Sequence, residues 1–139
     1  MSEQKLIDAY ISSQPEPKRS DMLELHRIIL ALKPACRLWF LDGKDADNKT
    51  VANPNVGYGH QILHYAGGKT KEFYQVGFSA NTTGISVYIL GLADKAYLAN
   101  TYGKDIGKAS VTGYCIKFKK LSDLHIAVLE AALRDGFAT

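Results

Sequence analysis

Cysteine and tryptophan are scarce in this chain, with two and one among 139 residues. Two thiols cannot build a disulfide scaffold. Cys36 and Cys115 are far apart and outside any CxxC pair, so they offer neither a zinc motif nor a dithiol redox motif. Long apolar runs are also missing: stretches such as residues 28–32 fall far short of the roughly 20 residues that span a bilayer. The opening Met-Ser-Glu-Gln-Lys-Leu shows no basic segment followed by an apolar run of signal-peptide length. The expectation is a cytoplasmic protein with reduced thiols, no disulfide and no membrane partner. A strong excess of one charge is lacking too. Lysine and arginine number 17 against 14 acidic residues, a net charge of +3 that permits an anionic partner without demanding one.

What is present is an ordinary globular composition, 46% apolar and 22% charged. Its length suits one hydrophobic core, so residues 1–139 are read as a single domain.

Ser2 is placed to cap a first helix in which Leu6, Ile7, Tyr10 and Ile11 form one apolar stripe. Pro15 and Pro17 interrupt it. A second helix is predicted over residues 18–33, with Met22, Leu25, Ile29 and Leu32 at helical spacing and Pro34 beyond its end. Residues 42–55 are polar and rich in turn formers, which reads as a surface excursion. Three strands follow, at 56–65, 72–79 and 84–90, joined by short links that favour antiparallel pairing. In the third, Ile85, Val87 and Ile89 alternate with Ser86, Tyr88 and Leu90. The aliphatic set should face the helices and leave Ser86 and Tyr88 on the more polar side. A helix over 92–102 should stop at a left-handed Gly103. A strand over 114–118 precedes a last helix with Ser122 as N-cap, Leu121 stapled to Ile126, and Gly136 at its end. The order predicts an α+β fold, one mainly antiparallel sheet packed against helices.

Several strings occur together in this order: Trp39, Val56-Gly57-Tyr58-Gly59, Val76-Gly77-Phe78-Ser79, Val87-Tyr88-Ile89, Gly107-Lys108, and Cys115-Ile116-Lys117 leading to Lys120-Leu121. In this the chain resembles the bacterial DUF1801 (YdhG-like) family, from the second helix through the last. The resemblance implies a small cytoplasmic α+β domain without established catalytic residues, to which a frataxin-like iron-carrier role has sometimes been attached. Residues 42–55 and 110–114 depart from the shorter family pattern as insertions.

Chemistry-bearing patterns are few. Residues 103–110 resemble a phosphate-binding P-loop only superficially: three residues instead of four separate the glycines, and Ala109 stands where the magnesium-binding hydroxyl belongs. What survives is a candidate anion site at Lys104, Gly107 and Lys108, weighed against a plain turn. His60 and His64 on a strand are about 13 Å apart, too far to chelate one ion. Asp42, Asp45 and Asp47 lack calcium-loop spacing. No metal site is therefore assigned and no cofactor is expected. Lys117 and Lys119 alternate with Ile116 and Phe118 as in a half-buried edge strand whose lysines guard against unwanted pairing, and a nucleic-acid partner is set aside.

Trp39, Tyr58, His60, Tyr74, Ser86 and Tyr88 are expected to line one sheet face as a pocket with apolar walls and polar tips. No nucleophile triad or paired carboxylate can be assembled. The first reading is a binding or accessory module whose partner is a small molecule or a protein, a second copy of the chain included. Iron carriage and an unidentified enzymatic reaction stand as alternatives.

Overall fold

A computed structural model describes residues 2–138. Helices α1 (Glu3–Ser12) and α2 (Lys18–Leu32) come first. Strands β1 (Leu38–Leu41), β2 (Asn55–Tyr58), β3 (Gln61–His64), β4 (Thr70–Phe73), β5 (Val76–Ala80) and β6 (Ile85–Ile89) follow. Helix α3 (Tyr97–Tyr102), strands β7 (Ser110–Thr112) and β8 (Cys115–Phe118), and helix α4 (Ile126–Phe137) complete the chain. One sheet runs β1-β2-β5-β6-β8-β7 with every pair antiparallel, and β3 and β4 form a separate ribbon. The α+β fold with antiparallel sheet packed on helices is as the sequence predicts.

The register defines the two faces. Phe40 lies opposite Val56, Val56 opposite Phe78, Phe78 opposite Val87, and Val87 opposite Ile116. Directly opposed residues share a face, and these side chains enter the core with Ile7, Ile11, Met22, Leu25, Ile29 and Leu133 of the helices. Ser2 accepts the Lys5 amide proton at 3.2 Å, the expected cap of α1. The Tyr10 ring lies 5.6 Å from that of Phe40, which ties α1 to the same face. A Cβ on Gly136 of α4 would come within 2.6 Å of Val76 and 2.8 Å of Ile89. That glycine lets α4 approach the sheet from within the helix, where the sequence reading had it ending the helix.

Five other expectations are corrected. The runs 56–65 and 72–79 each break in two: pairing keeps one register across β2–β5 and β3–β4 but is interrupted around Gly59, whose φ is +86°. Gly103 is right-handed, at φ −55°. Helix α3 begins only at Tyr97, because the Asp94 side chain accepts the Ala96 amide at 2.9 Å and starts a tight turn there. Helix α4 begins at Ile126: residues Leu121–Asp123 form a separate short 3-10 turn, and Leu124 runs extended to bridge Gly107. Ser122 therefore caps no α-helix. Residues 110–112, expected as part of an insertion, are the outer strand of the sheet.

Candidate functional site

The face away from the helices carries two cross-strand rows. Trp39, Gly57, Gly77, Tyr88, Cys115 and Thr112 stand opposite one another in sequence across the sheet. The neighbouring row runs Ser79, Ser86, Lys117 and Ser110. Both rows follow from the alternation that sends Val56, Phe78, Val87 and Ile116 the other way.

Of the six residues expected to share a pocket, four meet on this side. Tyr74 folds over the glycine pair, since a Cβ on either Gly57 or Gly77 would run into its ring. Its hydroxyl donates to Asn55 Oδ1 at 3.2 Å, and burial raises its pKa well above the ordinary phenol value. Trp39 donates its indole N–H to the Gly59 carbonyl at 2.7 Å, with the Arg37 guanidinium 3.9 Å over the ring and Phe73 edge-on at 6.0 Å. Ser86 accepts from the Asn81 amide at 2.9 Å, and Tyr88 is half-buried between Gly77 and Cys115.

Tyr58 and His60 do not join them. Tyr58 lies in the core, fully buried, its hydroxyl 2.6 Å from His26 Nδ1. Burial raises the phenol pKa and lowers that of His26. The sequence reading put Tyr58 with Tyr88 as residues of one polar surface, whereas the register places them on opposite faces. His60 stands at the break between β2 and β3, exposed, with Nε2 3.3 Å from Glu72 Oε1. The expected groove is also largely occupied, because the Tyr74 ring fills it and is only 3% exposed.

The Gly107 loop is likewise rearranged. Its amides are spent internally: Lys108 N–H donates to the Asp123 carbonyl at 3.1 Å and Ala109 N–H to the Gly107 carbonyl at 2.9 Å. An anion would therefore not find a cradle of free amides here. Gly107 has φ +105°, the left-handed region that favours glycine. Lys104 is exposed and does not line the concavity that Lys108 borders.

That concavity, about 420 Å³, is walled by Asn81, Thr83, Lys108, Ser110, Lys117 and Lys119 over Ala109 and Phe118. Sequence reasoning treated Lys108 and the Lys117–Lys119 alternation as separate features. Only the β7–β8 hairpin brings them together. The signal was present in the turn Gly113-Tyr114, since Gly113 at φ +56° allows residues 110–112 to fold back on 115–117. Lys117 is also not an edge guard, because β8 is an interior strand flanked by β6 and β7.

Other chemistry is less well provided for. Burial raises both the Cys36 and the Cys115 thiol above the ordinary value, away from the thiolate a nucleophile needs. Asp135 accepts from Tyr97 at 2.7 Å and also from Tyr102, a junction that ties α3 to α4. Asp42 and Asp45 accept amide protons of their own loop, from Lys44, Asp47 and Lys49. Among the described residues no three His, Cys, Asp or Glu side chains gather as a metal-holding group, and no helix is long and apolar enough to cross a membrane.

The fold and site together define an α+β domain with helices on one side of an antiparallel sheet and a polar-aromatic face on the other. No family model, no curated protein and no solved structure matches the chain.

Proposed function

We propose that this protein is a non-catalytic binding module of the DUF1801 kind that holds a small ligand on the sheet face away from its helices. One observation carries the reading: two adjacent cross-strand rows place Tyr88, Cys115, Ser86, Lys117 and Ser110 side by side on the face opposite the core. Burial of apolar surface against the helices accounts for the other face. It does not account for an aromatic hydroxyl, a thiol, an exposed serine and a lysine assembled around a buried Ser86 that Asn81 holds. The raised thiols and the scattered carboxylates give the enzyme and iron-carrier alternatives no comparable support.

The two cysteines supply the test. Cys115 lies in the ligand row, whereas Cys36 packs beside the core near Lys33. Compounds that raise the melting temperature in a screen of nucleotides, sugar phosphates, amino acids and organic acids should slow alkylation of Cys115 and leave Cys36 unchanged. Equal protection of both thiols, or of Cys36 alone, would contradict the placement.

A further inference from the structure

Resting on that reading of the face, we propose that its ligand is a small phosphate monoester, whose phosphate is seated by Lys108, Lys117 and Lys119 with the hydroxyl of Ser110. Three lysines border one concavity of about 420 Å³, and no acidic residue lines it. Among the described residues the ion pairs are Arg19–Glu16, Arg27–Glu24, His60–Glu72 and Arg134–Glu130, none of which involves these lysines.

Each lysine has a definite placement. Lys117 lies on interior strand β8, where lysine is a poor strand former and has no edge to protect. Its cross-strand neighbours on the row are Ser86 and Ser110, which cannot neutralise it. Lys119 projects to the same side two residues on, while Phe118 between them is buried. Lys108 enters from the loop that Gly107 turns by bridging Leu124. Like charges brought together on one side of a sheet repel, and a dianion among them reverses the sign of that interaction.

The far wall is also held in place. The Asn81 carboxamide oxygen accepts the amides of Thr83 and Gly84, at 3.0 and 2.8 Å, and its nitrogen donates to Ser86 at 2.9 Å. Lys18 of α2 donates to the Asn81 carbonyl at 2.5 Å. The β5–β6 turn is thereby fixed at a set distance from the lysines across the concavity.

The arrangement favours a small monoester over a nucleic-acid strand. The three lysines line one concavity instead of tracking a path along the sheet. The other cations near the face are engaged elsewhere, Arg37 over Trp39 at 3.9 Å and Lys71 over Phe73 at 4.7 Å. A terminal phosphate carries close to two negative charges at neutral pH, a better match to three ammoniums than a phosphodiester.

Calorimetric titration and amide NMR with inorganic phosphate, phenyl phosphate and glucose 6-phosphate, each against chloride at matched ionic strength, test this. Saturable binding is expected, with shifts at residues 81–84, 108–110 and 117–119. Lys117→Gln and Lys108→Gln should each weaken it about tenfold, the effect of one lost charge-assisted hydrogen bond. Affinity should fall below about pH 6 as the monoester dianion takes up a proton and becomes a monoanion. The unliganded melting temperatures of both variants should match the parent, showing that the loss is not unfolding. Unchanged phosphate binding in the lysine variants would overturn the seat. A ligand that protects Cys115 yet ignores both substitutions would do the same while leaving the binding face intact. Shifts reproduced by chloride, or a preference for a single-stranded oligonucleotide over the monoesters, would overturn the ligand class.

Discussion

Gly57 stands directly opposite Gly77 across the β2–β5 pair, and the ring of Tyr74 lies over both. The two missing side chains make the space that the ring fills, so the middle of the face is closed by its own tyrosine. A Cβ on Gly77 would lie 2.7 Å from Tyr74 Cε1 and 2.5 Å from the Val56 carbonyl oxygen. Gly77→Ala should therefore destabilise the fold by about 1–3 kcal/mol, the usual cost of overpacking. Tyr74→Phe keeps the ring and loses only the bond to Asn55, costing about 0.5–1.5 kcal/mol. Urea unfolding of the two variants checks the order.

The contact of the half-buried His26 with the buried Tyr58 predicts a pH dependence of stability. Burial holds the folded-state pKa of His26 below its unfolded value, against the opposing pull of Asp8. Between the two values the unfolded chain binds more protons, so stability rises with pH across that window. The contribution is complete above about pH 6.5, the ordinary histidine value, and is lost as pH falls through the folded value. Protonation also turns both ring nitrogens into donors, with the Gln4 carboxamide nitrogen 3.3 Å from Nε2 and the Tyr58 hydroxyl 2.6 Å from Nδ1. The urea midpoint should fall between pH 7.5 and pH 5, and His26→Gln should flatten that fall.

How much of this was legible before the structure depends on which residues set each feature. Local periodicity sufficed for α2, whose bounds differ by one residue from the reading, and for the Ile85-Val87-Ile89 face. Tyr58 was misplaced because alternation within one strand says which residues share a face, but not how that face aligns with the next strand's. The break around Gly59 was hidden for a similar reason. Its cause is the positive φ together with the Trp39 bond to the Gly59 carbonyl, a contact across 20 residues. The late start of α4 comes from Leu124 bridging Gly107, also invisible to local pattern. The lysine concavity needed the β7–β8 hairpin, and β7 is only three residues long.

Gly107 provides a test of the loop independent of any ligand. With φ +105° and the Asp123 carbonyl against the position a Cβ would take, Gly107→Val is strained twice over. A loss of about 1–3 kcal/mol is expected from the backbone alone, and more with the clash. Lys104→Ala in the same loop should be close to neutral, within about 0.5 kcal/mol, because its side chain is exposed and outside the concavity. Thermal unfolding distinguishes the two.

The thiols should be slow. Both are half-buried with pKa values pushed upward by burial, so the thiolate fraction at neutral pH is smaller than for a free cysteine. Alkylation by iodoacetamide at pH 7.5 should run slower than for glutathione at both sites and accelerate toward pH 9.5. A site that outpaces glutathione would mark an activated nucleophile.

The central claim is that ligand meets the side of the sheet opposite the helices. Fluorotyrosine NMR reads the two sides separately, because Tyr88 lies on the proposed binding side while Tyr58 is buried toward the helices. Titration with a ligand from the thermal-shift screen should move the Tyr88 resonance saturably and leave that of Tyr58 in place. Movement of Tyr58 with a static Tyr88 would contradict the claim.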